Sequence, residues 1–230
     1  MTDEAAGGVI WMRPERAATG RPAGHSRGEI TAAAVRIADQ EGLDAVSMRR
    51  VAADLGTGAA SLYRYVSNRE DLLDLMIDAT AAEYVLAPPS GDWLDSLLSI
   101  GGQARMIMRR HHWLPSLLIS RSVLGPNGLA LLEHFLEVLA AHPASTAAKL
   151  EAFGIFNAVT ALFVHNELTG SSERQQRNAA YLRYALATGD HPRLAELLAP
   201  RAAAPAGEAS DPQGRYRDIL ARILTGLLAP

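Results

Sequence analysis

Between Ser47 and Arg69 the chain reads SMRRVAADLGTGAASLYRYVSNR, a run crowded with groups suited to nucleic-acid recognition. Arg49, Arg50, Arg64 and Arg69 carry guanidinium forks, which pair with phosphates or with a guanine edge. Ser61, Tyr63 and Tyr65 add hydroxyls that can bind phosphate oxygens or base edges. The apolar residues between them leave little room for another arrangement. Met48, Val51, Ala52 and Leu55 fall at i, i+3, i+4 and i+7, a narrow stripe on a helix of about two turns. Ser47 caps that helix and Gly56-Thr57-Gly58 ends it. The next segment, Ala59 to Val66, keeps only Leu62 and Val66 for the core, so most of it points outward. Two short helices joined by a Gly-bearing turn form a helix-turn-helix pattern, whose second helix is expected to enter the major groove of DNA.

Helices this short depend on their neighbours for stability. Ser26-Arg27-Gly28-Glu29 is a capping box, and Ile30, Ala33, Ala34, Ile37 and Ala38 continue it at helical spacing as far as Gly42. Ser67-Asn68-Arg69-Glu70 reads as a second box, opening a helix with Leu72, Leu73, Leu75, Met76 and Ile77 that runs to about Tyr84. Residues 1–25, rich in Gly, Ala and Pro, are expected to form a flexible arm. The Ala87-Pro88-Pro89-Ser90-Gly91 break sets the domain boundary: 26–86 as a helix-turn-helix domain, 87–230 as a larger helical domain. Within the latter, helices are expected over 92–110, 114–120, 126–141, 146–169 and 173–187, with a last one carrying Tyr216 to Leu228. Residues 199–214, APRAAAPAGEASDPQG, read as a disordered loop. The fold class is all-α.

Composition narrows the function. Ala and Leu outweigh Val, Ile and aromatics, which favours helix over strand. The chain has no Cys, which removes disulfides, thiolate catalysis and zinc-finger sites. No signal-peptide pattern opens it and no run of 18 apolar residues is evident, so a cytoplasmic protein without a membrane span is expected. The net charge is −3, yet residues 13–69 hold nine arginines against six acids. GxxxxGK[ST], HExxH and GxSxG are absent, and Gly56-x-Gly58-x-x-Ser61 follows a helix rather than a strand. The adjacent His111 and His112 diverge by about 100° on a helix and make a poor metal pair. Neither catalytic residues, a metal nor a cofactor is expected. A helical protein-interaction module without a DNA role, or an α-helical enzyme, are the alternatives.

The span from Ser26 to Tyr84 resembles the tetracycline-repressor (TetR) family of bacterial transcriptional regulators. The residues that carry the resemblance are Ala38-x-x-x-Gly42, Ser47-Met48-Arg49-Arg50-Val51-Ala52, Leu55-Gly56, Ser61-Leu62-Tyr63-Arg64-Tyr65-Val66 and Asn68-Arg69-x-x-Leu72-Leu73. Arg110-His111-His112-Trp113-Leu114 and Leu124-Gly125-Pro126-Asn127-Gly128 extend it towards the ligand domain of the tetracycline repressor. The resemblance implies that Arg49 reaches a base. It further implies that Ala59, Ala60, Ser61, Tyr63, Arg64 and Tyr65 present the recognition helix, and that Arg69 grips a phosphate. Ala59 and Ala60 cannot donate a hydrogen bond, which shifts the expected base reading towards Arg49. Minor-groove insertion of Arg16 or Arg21 from the arm is a further expectation.

The same resemblance implies a homodimer on a palindromic DNA operator, released by a small, largely apolar molecule bound among the middle helices of the second domain. Met108, Trp113, Phe135, Phe153 and Asn157 are lining candidates by residue type. The family's tetracycline-anchoring positions fall on Val85 and Ile100, and its magnesium-ligating position on Leu118, so a magnesium–tetracycline chelate is not expected. Residues 146–169, with Leu150, Phe153, Phe156, Val159, Leu162, Phe163 and Val164 spread around the helix, and residues 216–228 offer the dimer surface.

Overall fold

The computed structural model describes residues 9–13, 25–89, 91–121, 123–170, 172–198 and 211–229. Eleven α-helices are found among them, and no strand. Helix α1 (Arg27–Glu41) opens with the expected capping box: Ser26 Oγ accepts from Glu29 N, and Glu29 Oε2 accepts from Ser26 N at 2.7 Å. The Ser26 backbone N–H, and then its hydroxyl, hold the Glu29 carboxyl below its usual range. Ile30, Ala33, Ala34 and Ile37 are buried. The helix stops at Gly42, whose φ of +86° lies where a side chain would be strained.

Helix α2 (Met48–Asp54) is capped by Ser47, which accepts from Arg50 N, and buries Met48, Val51 and Ala52. Gly56, at φ +64°, turns the chain towards α3 (Ala59–Leu62). Here the structure corrects the expected helix to Val66. The amides of Tyr65 and Val66 both donate to Leu62 O, closing a tight turn that swings both side chains inward. Tyr65 is 5% exposed, so its placement among outward-facing residues is corrected; its ring belongs to the core. Helix α4 (Arg69–Ala81) also starts one residue away from the expected box. Its cap is Asn68, whose side chain accepts from Asp71 N at 2.7 Å, while Asp71 Oδ2 accepts from Ser67 N at 3.3 Å.

The arm is docked where it is described. Ile10, in a 3₁₀ turn over Ile10–Met12, is 1% exposed, and Arg13 places Nη1 2.8 Å and Nη2 3.1 Å from the two oxygens of Asp71. Arg27 Nη1 donates to Arg13 O at 2.8 Å. A flexible arm over the whole of 1–25 is therefore corrected for residues 9–13. Arg16 and Arg21 lie outside the described residues.

The second part is built around α5 (Trp93–Arg110), α8 (Thr146–Thr169) and α11 (Pro212–Leu227), which pack on one another. Buried Tyr216 of α11 donates to Gly101 O at 3.1 Å and lies 2.9 Å from Thr160 Oγ1, joining all three helices. Burial pushes its phenol up to about 12. Arg105 meets Glu167 at 2.6 Å beside the rings of Phe163 and Tyr216. Helices α6 (Leu114–Ser120) and α7 (Pro126–Val138) close the side against α4. Asp78 of α4 caps α7, accepting from Asn127 N and Gly128 N at 3.0 and 2.9 Å.

Helix α9 (Ser172–Ala187) leads to α10 (Pro192–Leu198), an element absent from the sequence expectation. The expected loop 199–214 is shortened at its end: Asp211 caps α11 and residues 212–214 are helical. The remainder of that stretch lies outside the described residues. Helix α7 ends at Val138 rather than 141. Helix α8 is long and apolar enough on average to cross a membrane, though Lys149, Glu151, Asn157 and His165 interrupt its apolar run. Its Ala152, Phe156, Thr160, Ala161 and Val164 are buried within the bundle, whereas Leu150, Ile155, Leu162 and Leu168 are exposed.

Candidate DNA-reading face and ligand cavity

The outward side of α2 and α3 gathers the residues expected to read DNA. Arg49 is exposed on α2, while its neighbour Arg50 is tied to Glu41 at 2.5 Å and lies 4.0 Å from Asp54. Asp54 is also held by Arg36 at 2.7 Å. Ionic pairing thus fixes Arg36 and Arg50 as scaffold and leaves Arg49 presented. Arg64 is exposed, its Nε donating weakly to Ser61 O at 3.4 Å. Tyr63 is 52% exposed at the end of α3, with Ala60 beside it and Ala59 half-buried.

Ser61 is partly committed. Its Oγ donates to Gly58 O at 2.7 Å and stands 2.8 Å from Thr57 Oγ1. A hydroxyl has one hydrogen, so Thr57 supplies the other bond, and Ser61 meets a ligand mainly as an acceptor. Arg69, exposed at the start of α4, also has a structural role. Its Nε donates to Val46 O at 3.1 Å and Nη2 to Leu43 O at 3.2 Å, so the guanidinium fastens α4 to the turn before α2.

Below this face lies a cavity of about 500 Å³. Ile77, Thr80, Ala81 and Tyr84 of the α4 side, Ile107 and Met108 of α5, Leu118 of α6, Leu131 of α7, and Phe153 and Asn157 of α8 line it. Its walls are mostly apolar, as expected of a small-molecule site. Of the candidates, Met108, Phe153 and Asn157 face the cavity, as does Leu118, the position matched to the family's magnesium ligand. Two others do not. Phe135 sits behind the wall, edge-on to Phe153 and Phe156 at 5.3 and 5.5 Å between ring centroids. Trp113 donates from Nε1 to Asp39 Oδ1 at 2.7 Å. Val85, 73% exposed, and buried Ile100 are likewise outside the lining.

Of the polar lining groups, Asn157 is a candidate from the sequence, whereas Asp78 and Arg121 are not. Asp78 is buried under its bonds to α7, Arg121 pairs with Glu70 at 2.6 Å and Asp74 at 3.3 Å, and Asn157 Nδ2 donates to Phe153 O at 3.0 Å. Burial, with a smaller contribution from Tyr216, pushes the Tyr84 phenol well above its usual range. The i, i+4, i+8 spacing of Glu70, Asp74 and Asp78 was the available signal, since it places three acids on one face of α4.

A second cluster joins the two halves. His111, buried in the bend between α5 and α6, sets Nδ1 2.8 Å from Asp39 Oδ1 on α1 and Nε2 2.7 Å from Glu83 Oε1 beyond α4. Arg110 holds the other Glu83 oxygen at 2.6 Å.

An all-helical chain with an exposed helix-turn-helix and a separate apolar cavity defines a ligand-responsive DNA-binding regulator. Residues 30–76 match the family model described as bacterial regulatory proteins of the tetR family, and residues 87–230 match that of the tetracyclin repressor-like C-terminal domain. The chain belongs to the TetR family of transcriptional regulators. It is 33% identical over 201 residues to an HTH-type transcriptional regulator of Saccharopolyspora erythraea, covering 84% of this chain and 83% of that one. It is 38% identical over 133 residues to the transcriptional repressor DrrR1 of Streptomyces coeruleorubidus, covering 57% of this chain and 49% of that one. Among solved structures, apo ActR of Streptomyces coelicolor superposes with a TM-score of 0.76 at 30% identity, covering 89% of this chain and 97% of ActR. ActR in complex with actinorhodin gives 0.74 at the same identity and coverage.

Proposed function

We propose that this regulator is a repressor that binds a palindromic operator as a homodimer and leaves it when a small, largely apolar molecule fills the cavity. Arg49, Ala59, Ala60, Ser61, Tyr63 and Arg64 form the reading surface in this account. Met108, Phe153 and Asn157 contact the ligand. The exposed apolar residues of α8, with the outer side of α11, meet a second copy, which sets two reading surfaces on one side of the DNA. Such a protein works beside DNA in the cytoplasm, without catalysis.

The observation that carries this reading is the position of α4. One end is fastened through Arg69 to the turn that leads into α2, and the other supplies Ile77, Thr80 and Ala81 to the cavity wall. A ligand that displaces α4 must therefore move the reading helix. ActR, solved with actinorhodin bound, shows that a close structural relative accommodates an organic ligand. Coupling of this kind is reciprocal, so operator binding weakens ligand binding by the same factor.

The test is footprinting of the DNA flanking the chain's own gene, with mass in solution measured in parallel. A protected inverted repeat bound by a dimer supports the reading. No protected site, or a monomer persisting at micromolar concentration, contradicts it.

A further inference from the structure

The charge balance at the cavity is already met, and it leans negative. Arg121 is the only cation among the described lining residues, and both of its ion pairs are with acids of α4. Glu70 and Asp74 stand one turn apart on that helix, and Asp78 follows one turn on, adding its own carboxylate to the wall. Asp78 is held by two backbone N–H groups and by Asn127 Nδ2 at 3.0 Å rather than by a cation. An incoming carboxylate or sulfonate could gain Arg121 only by drawing it away from Glu70 and from Asp74, whose carboxylate is part-buried. Burial pushes the Asp74 carboxyl up more than Arg121 lowers it, and Asp71 and Glu70 push the same way.

We propose that the cavity excludes anions and takes uncharged or cationic molecules with a broad apolar body, the Tyr84 hydroxyl and the Asn157 amide supplying the polar contacts. This rests on the cavity being the regulatory ligand site. Asn157 spends one amide hydrogen on Phe153 O and keeps its Oδ1 and second hydrogen for a ligand. Tyr84 lines the same space from just beyond α4. Tight recognition of an acid would require a guanidinium not already engaged, because a buried anion without a partner is strongly disfavoured.

The test uses two probes that share a ring system: N-phenyl-1-naphthylamine, uncharged, and 8-anilinonaphthalene-1-sulfonate, its sulfonated counterpart. Both are titrated by fluorescence into the full-length protein and into Leu118→Trp, which fills the cavity from the α6 wall. Binding lost in Leu118→Trp is assigned to the cavity. The uncharged probe is expected to bind there at least about tenfold more tightly than the sulfonate, a difference of about 1.4 kcal/mol. Releasing Arg121 with Glu70→Gln plus Asp74→Asn is expected to raise sulfonate affinity by roughly tenfold and leave the uncharged probe within about twofold. Should that double variant fold poorly, Arg121→Gln is expected to leave the uncharged probe unaffected while weakening the sulfonate further. Equal affinities for both probes, each lost in Leu118→Trp, overturn the charge rule alone. Binding of the uncharged probe that Leu118→Trp leaves intact overturns the cavity as a ligand site, and the charge rule falls with it.

Discussion

His111 Nδ1 stands 2.8 Å from Asp39 Oδ1, and this one hydrogen bond crosses from the bend between α5 and α6 to the first helix of the DNA-binding part. Trp113, two residues on, donates to the same oxygen at 2.7 Å. Helices α5 and α6 line the cavity on either side of that bend. Any ligand-driven shift of α6 is thus transmitted to α1 by hydrogen bonds as well as to α4 by direct packing.

His111→Ala should therefore cost about 1–3 kcal/mol in urea unfolding, the usual penalty for removing one partner of a buried polar set. A double-mutant cycle with Asp39→Ala should show coupling of about 1 kcal/mol or more. Additive single effects would mean that the two side chains merely adjoin.

The Asp74 carboxyl is raised from its ordinary value chiefly by burial. An acid whose folded pKa is raised disfavours the folded state once it ionises. The penalty is absent below the unfolded pKa near 3.9 and complete above the higher folded value. Asp74→Asn should accordingly match or exceed the parent in Tm at pH 7, and the difference should vanish as the pH falls towards about 3. Calorimetry across this range checks the sign, and a variant clearly less stable at pH 7 would show that the Arg121 pair outweighs desolvation.

Gly101 has no room for a side chain. A Cβ there would lie 2.5 Å from Leu220 Cδ2 and 3.0 Å from the Tyr216 hydroxyl. Gly101→Ala should cost about 1–3 kcal/mol, the usual range for overpacking a filled core. Gly154→Ala, with nothing near the added carbon, should cost no stability within the monomer fold. Thermal unfolding of the two variants side by side separates close packing from helix propensity.

The helices were legible because their signals are local. Ser26 with Glu29, the stripe from Ile30 to Ala38 and Gly42 lie within one stretch, and α1 follows them. Tyr65 reads as outward-facing in the sequence because nothing local marks the turn at Leu62, which accompanies the burial of both Tyr65 and Val66. The docking of Arg13 was hidden for a related reason, since its side-chain partners Ser67 and Asp71 lie more than fifty residues away. Phe135 shares its residue type with the lining Phe153, and Trp113 is as bulky and apolar, so type alone cannot tell a cavity wall from the layer behind it. Arg121 was passed over because its significance depends on Glu70 and Asp74, which reach it only after folding.

The central claim is that the exposed side of α2 and α3 reads DNA, with Arg49 the principal base contact. Fluorescence anisotropy with the duplex flanking the chain's own gene, titrated across a salt series, tests it most directly. The account predicts specific binding that weakens steeply with salt, and an Arg49→Ala affinity lower by about 1–3 kcal/mol on that duplex with little change on a scrambled one. Arg49→Ala binding both duplexes as the parent does, or a parent that binds neither, would contradict it.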